Sequence, residues 1–201
     1  MIRKLIAGFR PTEFRPAHAL FEWPTRGRGP ATLLIGCADF GVDPYSLIPT
    51  NTQNLYVLQN FGNLAGAPDP LRPAEANAVE AALALYPIRD VVVCGHSPCG
   101  VMKTLVADDP GGPAAAVAGR LHQARKTREI VSACYGRLRG EPLLTAAAQV
   151  NVLVQLENLR ECPGVASRLD RGDLHLHGWV YASNAISAYD PHQGLFIPLA
   201  Q

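Results

Sequence analysis

Three short apolar runs, ATLLIGC (31–37), NLYVLQNFG (54–62) and RDVVVCGH (89–96), constrain the fold of this chain more than any other feature. Each is continuous rather than alternating, the pattern of a strand buried on both faces. Stretches of helical spacing lie between and after them. PAEANAVEAALALY (73–86) starts at Pro73 with Glu75 in its first turn. It carries Ala76, Val79, Leu83 and Tyr86 at helical spacing, and Pro87 stops it. SPCGVMKTLV reads as a helix opening with Ser97 as N-cap and Pro98 in its first position. A longer helical region is expected over 113–137, and another over 141–160 that ends at Pro163 and Gly164.

The period changes near the C-terminus. In LHLHGWVY (174–181), Leu174, Leu176, Gly178 and Val180 alternate with His175, His177, Trp179 and Tyr181, which predicts a strand with two different faces. On this reading His175, His177 and Trp179 lie at the surface or an interface. SNAISAYDPHQGLFIPL continues as a hairpin with a turn at 190–194. The whole predicts an α/β fold, with a mostly parallel central sheet flanked by helices and a more antiparallel edge. Residues 1–30, rich in Arg, Pro and aromatics, read as an N-terminal helical arm suited to dimer contacts. Residues 31–201 form the main domain.

Composition narrows the function. Of 201 residues 48% are hydrophobic and 17% charged, which describes a globular core, and the net charge of +1 gives no reason to expect nucleic acid or a membrane surface as partner. No apolar run reaches transmembrane length, and LIAGF near the start is too short for a signal-peptide core. Five cysteines, Cys37, Cys94, Cys99, Cys134 and Cys162, are odd in number, so free or metal-bound thiols in a reducing, cytoplasmic setting are expected rather than a disulfide framework.

Cys37 and His96 stand at the carboxyl ends of predicted strands, where open α/β sheets place their functional crevice. His96-x-x-Cys99 lets both side chains turn toward one point. Two thiolates and one imidazole make a neutral site for Zn²⁺ with a fourth tetrahedral position free, the pattern of a catalytic zinc. Such an ion brings a bound water toward pKa ~7. On these residues alone a metal site and two ordinary strand ends are both open readings. Cys94, inside VVVCG, reads as a small buried hydrophobe.

The ordered stretches CADFGV, LQNFGNL, VVVCGHSPCGVMKTL, VNVLVQLENL and LHLHGWVY resemble the β-class carbonic anhydrases from about residue 27 to the C-terminus. The resemblance implies Cys37, His96 and Cys99 as zinc ligands, and Asp39 as the carboxylate beside the water on the metal. It further implies a homodimer or homotetramer and reversible hydration of CO₂ to bicarbonate. Hydrolysis of COS or CS₂ is the alternative within the family, and a catalytically silent zinc-binding homologue is a third reading.

The pattern breaks around Asp39. Family members carry Cys-(Ser/Ala)-Asp-Ser-Arg-Val, and the arginine forks onto the aspartate. Here those positions are Phe40 and Gly41. The arginine of the second motif is Gln59, and Arg28 stands in GRGP where many members have glutamine. A buried carboxylate deprived of its partner would cost on the order of 3–5 kcal/mol if it stayed charged and alone. Asp39 is therefore expected to find another cation (Arg28 first, with Arg10, Arg15 and Lys103 behind it), to hold a proton, or to swing onto the metal. Weak activity follows in the last case. Arg28, Phe40, Gly41, Gln59, Phe61 and Gly100 are the candidate pocket residues, and Phe40 and Phe61 make that pocket apolar.

Overall fold

The computed structural model describes residue 13 and residues 31–48, 54–66, 74–107 and 124–199. Within these, β1 (Thr32–Cys37), α1 (Pro44–Leu47), β2 (Leu55–Asn60), α2 (Ala74–Leu85) and β3 (Asp90–Ser97) come first. They are followed by α3 (Gly100–Val106), α4 (Arg125–Tyr135), α5 (Gly140–Arg160) and α6 (Pro163–Arg171). The chain closes with β4 (His175–Ala182), β5 (Ala185–Asp190) and β6 (Leu195–Pro198). The strands form one sheet in the order β2-β1-β3-β4-β5-β6. The first four are parallel, and β5 and β6 run antiparallel. Among the described residues no helix is long and apolar enough to cross a membrane.

The three apolar runs become β1, β2 and β3. The first and third are central, and every residue of both is buried. Side chains alternate between the faces. Leu34, Val92, Cys94 and Trp179 pack with Met102 and Leu105 of α3 and Ile130 of α4. Leu33, Ile35, Val91, Val93 and Leu176 pack with Val79 of α2, Val152 and Leu156 of α5 and Val165 of α6. Helices thus cover both faces.

Three expectations need correction. The helix expected over 141–160 is observed to within one residue, but Pro163 and Gly164 are not its end signal. Helix α5 stops at Arg160, and Pro163 occupies the first turn of α6, where its missing N–H costs nothing. Glu80 of α2 accepts the Gly164 N–H at 2.8 Å, and α6 itself ends at Gly172 with φ +75. Strand β4 does not have one outward face. His177 is 3% exposed and Trp179 0%, because α3 and α4 cover that side of the sheet. His177 Nε2 and Asp90 Oδ1 are 2.9 Å apart, which gives the buried imidazole a polar partner. Finally, Ser97 is the last residue of β3 rather than a helix cap. The Ser97–Pro98 peptide is cis, Cys99 is the N-cap, and the Ser97 hydroxyl accepts from Thr145 Oγ1 at 2.9 Å.

The edge hairpin matches its turn chemistry. Ser183 (φ 50) and Asn184 (φ 62) join β4 to β5 as a two-residue loop with both residues left-handed. Asp190 Oδ1 accepts the His192 and Gln193 N–H groups in the next turn. Of the helical region expected over 113–137, α4 covers the described part, and of the arm only Glu13 is described. It is 2% exposed and forks onto Arg160 of α5, with both N–O distances 3.2 Å.

Helix α5 approaches the sheet closely over two glycines. A Cβ on Gly178 would lie 3.0 Å from Leu156 and from Val152, and one on Gly95 would lie 3.0 Å from Val152. Gly178→Val is therefore expected to lower unfolding stability by about 1–3 kcal/mol through overpacking. Urea denaturation checks this, and an unchanged midpoint would show that the helix can back away freely.

Candidate metal centre

Register brings the candidate ligands together. Gly36 of β1 pairs with Cys94 of β3, so Cys37 and His96 emerge at adjacent carboxyl ends. The turn after β3 then returns Cys99 to the same point as the N-cap of α3. Cys37 Sγ, Cys99 Sγ and a ring nitrogen of His96 lie within 4.8 Å of one another, and all three residues are buried. The two sulfurs are 3.9 Å apart.

This donor set fits a tetrahedral metal. Thiolates 2.3 Å from a zinc at tetrahedral angles sit about 3.8 Å apart. His96 Nε2 is buried and has no hydrogen-bond partner among the described residues. A buried imidazole beside two thiols, with one ring nitrogen left without a geometric hydrogen bond, suits a metal ligand.

The electrostatics agree. Cys37 is held down at about 4, first by its bond with the Cys99 thiol, against the opposing effect of burial, and then by His96 and the backbone N–H groups of Gly62 and Asp39. Cys99 is pushed up by the same bond, by burial and by the Cys37 charge. The shared bond thus favours loss of the pair's first proton and opposes loss of its second. Cys94 behaves differently: burial alone pushes it up to about 12, as suits a small core side chain. Cys134 is exposed and Cys162 is buried, and neither joins the cluster.

Asp39 is not where a deprived buried carboxylate was expected. It is exposed in the single chain, where the penalty of an uncompensated buried charge does not arise. Its Oδ2 accepts the Gly100 N–H at 2.5 Å. A Cβ on Gly100 would lie 2.9 Å from that oxygen, so glycine is what lets the carboxylate approach. No ion pair reaches Asp39 from any described residue, Lys103 included. Arg28, Arg10 and Arg15 lie outside the described residues. Asp39 is also not part of the three-ligand cluster. Around Gly41 there is room: a Cβ built there meets nothing within 4 Å.

The other candidates divide. Phe40 is 9% exposed and stacks on His96, with ring centroids 4.9 Å apart and planes 30° apart. Tyr181 of β4 meets Phe40 edge-on at 5.2 Å. Phe61 is 53% exposed. Gln59 is exposed on β2 opposite Gly36 and lines a separate cleft of about 180 Å³ between β2 and α2. Two contributors escaped the sequence reading. Tyr181 looked like one face of a strand, and Gly62, whose N–H meets Cys37 Sγ at 3.3 Å, acts through its backbone. The glycine in QNFGN was the only available signal for the latter.

A carbonic anhydrase family model matches residues 32–186. A carbonic anhydrase of Synechocystis is 37% identical over 195 residues, covering 94% of this chain and 71% of its own. One of Pseudomonas aeruginosa is 36% identical over 205 residues, covering 100% of this chain and 93% of its own. The solved structure of the β-carbonic anhydrase CcaA matches with a TM-score of 0.80 at 36% identity, covering 91% of this chain and 90% of that one.

Because the shared bond eases loss of the pair's first proton and resists loss of the second, metal binding should displace that second proton. Metal-stripped protein titrated with Zn²⁺ near pH 7 in weak buffer is expected to release about one proton per chain. Release of two would show that both thiols are protonated beforehand.

Proposed function

The chain belongs to the β-carbonic anhydrase family, and on that premise we propose that it is a zinc-dependent lyase catalysing reversible hydration of CO₂ to bicarbonate, with activity limited by Gly41. The observation that carries this reading is the buried Cys37–His96–Cys99 cluster with its unpartnered His96 Nε2.

Cys37, His96 and Cys99 would hold the metal. Bound there, zinc supplies a Lewis acid that makes water nucleophilic near neutral pH. The chain's own residues do the rest. Phe40, stacked on His96 and braced by Tyr181, walls the site with apolar surface that suits a linear, uncharged substrate and keeps bulk water off the ring. Asp39, anchored through Oδ2 by the Gly100 N–H, leaves Oδ1 to accept a hydrogen bond from the attacking water and orient it. The products are bicarbonate and one proton.

The weak point is the anchor. A forked arginine holds a carboxylate with two charge-assisted bonds, whereas Gly100 offers one neutral N–H. The carboxylate is thus freer to turn, including onto the metal, where it would occupy the position that water needs. The same apolar wall supports a second reading, turnover of COS or CS₂, since neither asks for hydrogen bonds in the pocket. Assembly as a homodimer or homotetramer belongs to this proposal, with the exposed aromatics Phe61 and Tyr45 as surface for contact. So do the arm (1–30) as a contributor to that contact, Arg28 as a supplier of positive charge to Asp39, and a reducing cytoplasmic setting.

Purified protein is expected to carry one zinc per chain, and Cys99→Ala to lose it, by elemental analysis. In stopped-flow assays at pH 7, Gly41→Arg is expected to raise CO₂ hydration by about 10- to 100-fold, the worth of a charge-assisted bond made in the transition state. Fast wild-type turnover, no faster in Gly41→Arg, would show that another group already supports Asp39. COS turnover above CO₂ turnover would favour the second reading. Zinc-loaded protein inert to CO₂, COS and CS₂ alike would sink the catalytic proposal.

A further inference from the structure

Helix α5 supplies none of the three cluster residues, yet it buries two amides. Asn151 and Gln155 are both 0% exposed and lie one turn apart within an otherwise apolar run of Val150, Val152, Leu153, Val154 and Leu156. Amides buried in such surroundings are unfavourable unless their donors and acceptors are met. Here they are met by the loop after β2, by Thr127 of α4 and by each other. Asn151 Nδ2 donates to the Gly62 carbonyl at 2.8 Å and reaches Asn63 Oδ1 at 3.4 Å. Gln155 Oε1 accepts the Ala65 N–H at 3.0 Å. Asn151 Oδ1 accepts from Thr127 Oγ1 at 3.0 Å and from Gln155 Nε2 at 3.3 Å.

The loop so gripped has an unusual backbone. Gly62 (φ 90) and Asn63 (φ 45) are consecutive and both have positive φ. A non-glycine residue persists in that region when its surroundings over-determine it. The outcome of the turn is a single directed bond, the Gly62 N–H on Cys37 Sγ at 3.3 Å. The path from helix to sulfur is therefore short: one side-chain amide, one peptide turn and one N–H.

We propose that Asn151 is a positioning residue for the metal centre, fixing through its bond to the Gly62 carbonyl the turn that aims the Gly62 N–H at Cys37 Sγ. This rests on the metal-binding reading above. An N–H donor draws electron density from a thiolate and orients its lone pairs, as outer partners of metal ligands commonly do. Without it, Cys37 becomes a stronger but less well-oriented donor.

The test uses the full chain loaded with Co²⁺ for its sulfur-to-metal charge-transfer band, and with Zn²⁺ against a competing chelator. Asn151→Ala is expected to move the band to longer wavelength and to weaken zinc binding by about 10- to 100-fold. Thr127→Val removes a buried bond to Asn151 but leaves the one from Asn151 to Gly62. It is expected to lower Tm while leaving the band in place, which separates positioning from general stabilisation. If Asn151→Ala does not fold, wild-type protein loaded with ¹¹³Cd decides. A scalar coupling between cadmium and the Gly62 amide proton supports the proposal, and its absence overturns it. A band unmoved in folded Asn151→Ala overturns this inference and leaves the metal reading standing. No charge-transfer band in the wild type overturns both.

Discussion

The parallel pairing of β1 with β3 is the constraint on which the rest of the structure depends. It opens two fully buried strands at one point, with Cys37 and His96 at their adjacent carboxyl ends. A slip of one residue would turn every side chain of β1 to the other face. Leu33 and Ile35 would leave the cluster they share with Val91 and Val93, and Cys37 would point away from His96. Core packing and ligand geometry are thus a single requirement. The hydrophobic burial that orders the strands also sets two of the three donors, before any metal contributes.

The carboxylate has a different kind of support. Asp39 lies beyond the strand, exposed, on a loop whose next residues are Phe40 and Gly41. Phe40 is drawn inward by stacking on His96, which fixes the loop from one side. Gly100 fixes it from the other through one N–H, and can do so only because it has no side chain. At positions 40 and 41, where the family pattern has serine and arginine, the described residues give Asp39 aromatic packing beside it and a single backbone bond.

Much of this was legible in the residues. The continuous runs that became β1, β2 and β3 are buried because of where they sit in the sheet, and continuity is the signature of that position. His96-x-x-Cys99 and Cys37 were legible because ligand chemistry demands particular atoms. What escaped depended on neighbours far along the chain. The alternation of β4 suggested an outward face, but helices α3 and α4 cover it, and no local pattern announces what will pack above a strand. Pro163 looked like an ending and was a beginning, since proline suits both places. Asp39 was taken as buried because the family places it beside the metal, whereas its exposure depends on how the loop leaves β1. Asn151 and Gln155 were visible as polar residues one turn apart in an apolar helix. Their partner, the turn at Gly62, is nearly ninety residues away.

The metal cluster and the carboxylate can therefore vary separately. The cluster is held by the sheet and by the bond from Gly62, both buried, and by the turn into α3, which buries Cys99 itself. The carboxylate is held by surface contacts that meet the cluster only where Cys99 is followed by Gly100. Loss of arginine at position 41 falls on the second system. It leaves the donor set, its burial and its fit to a tetrahedral ion untouched, and on the function proposed above it falls only on the group that would orient the attacking water. On that proposal such a chain could keep its ligands while its rate drifts, since the three cluster residues are buried and Asp39 is exposed.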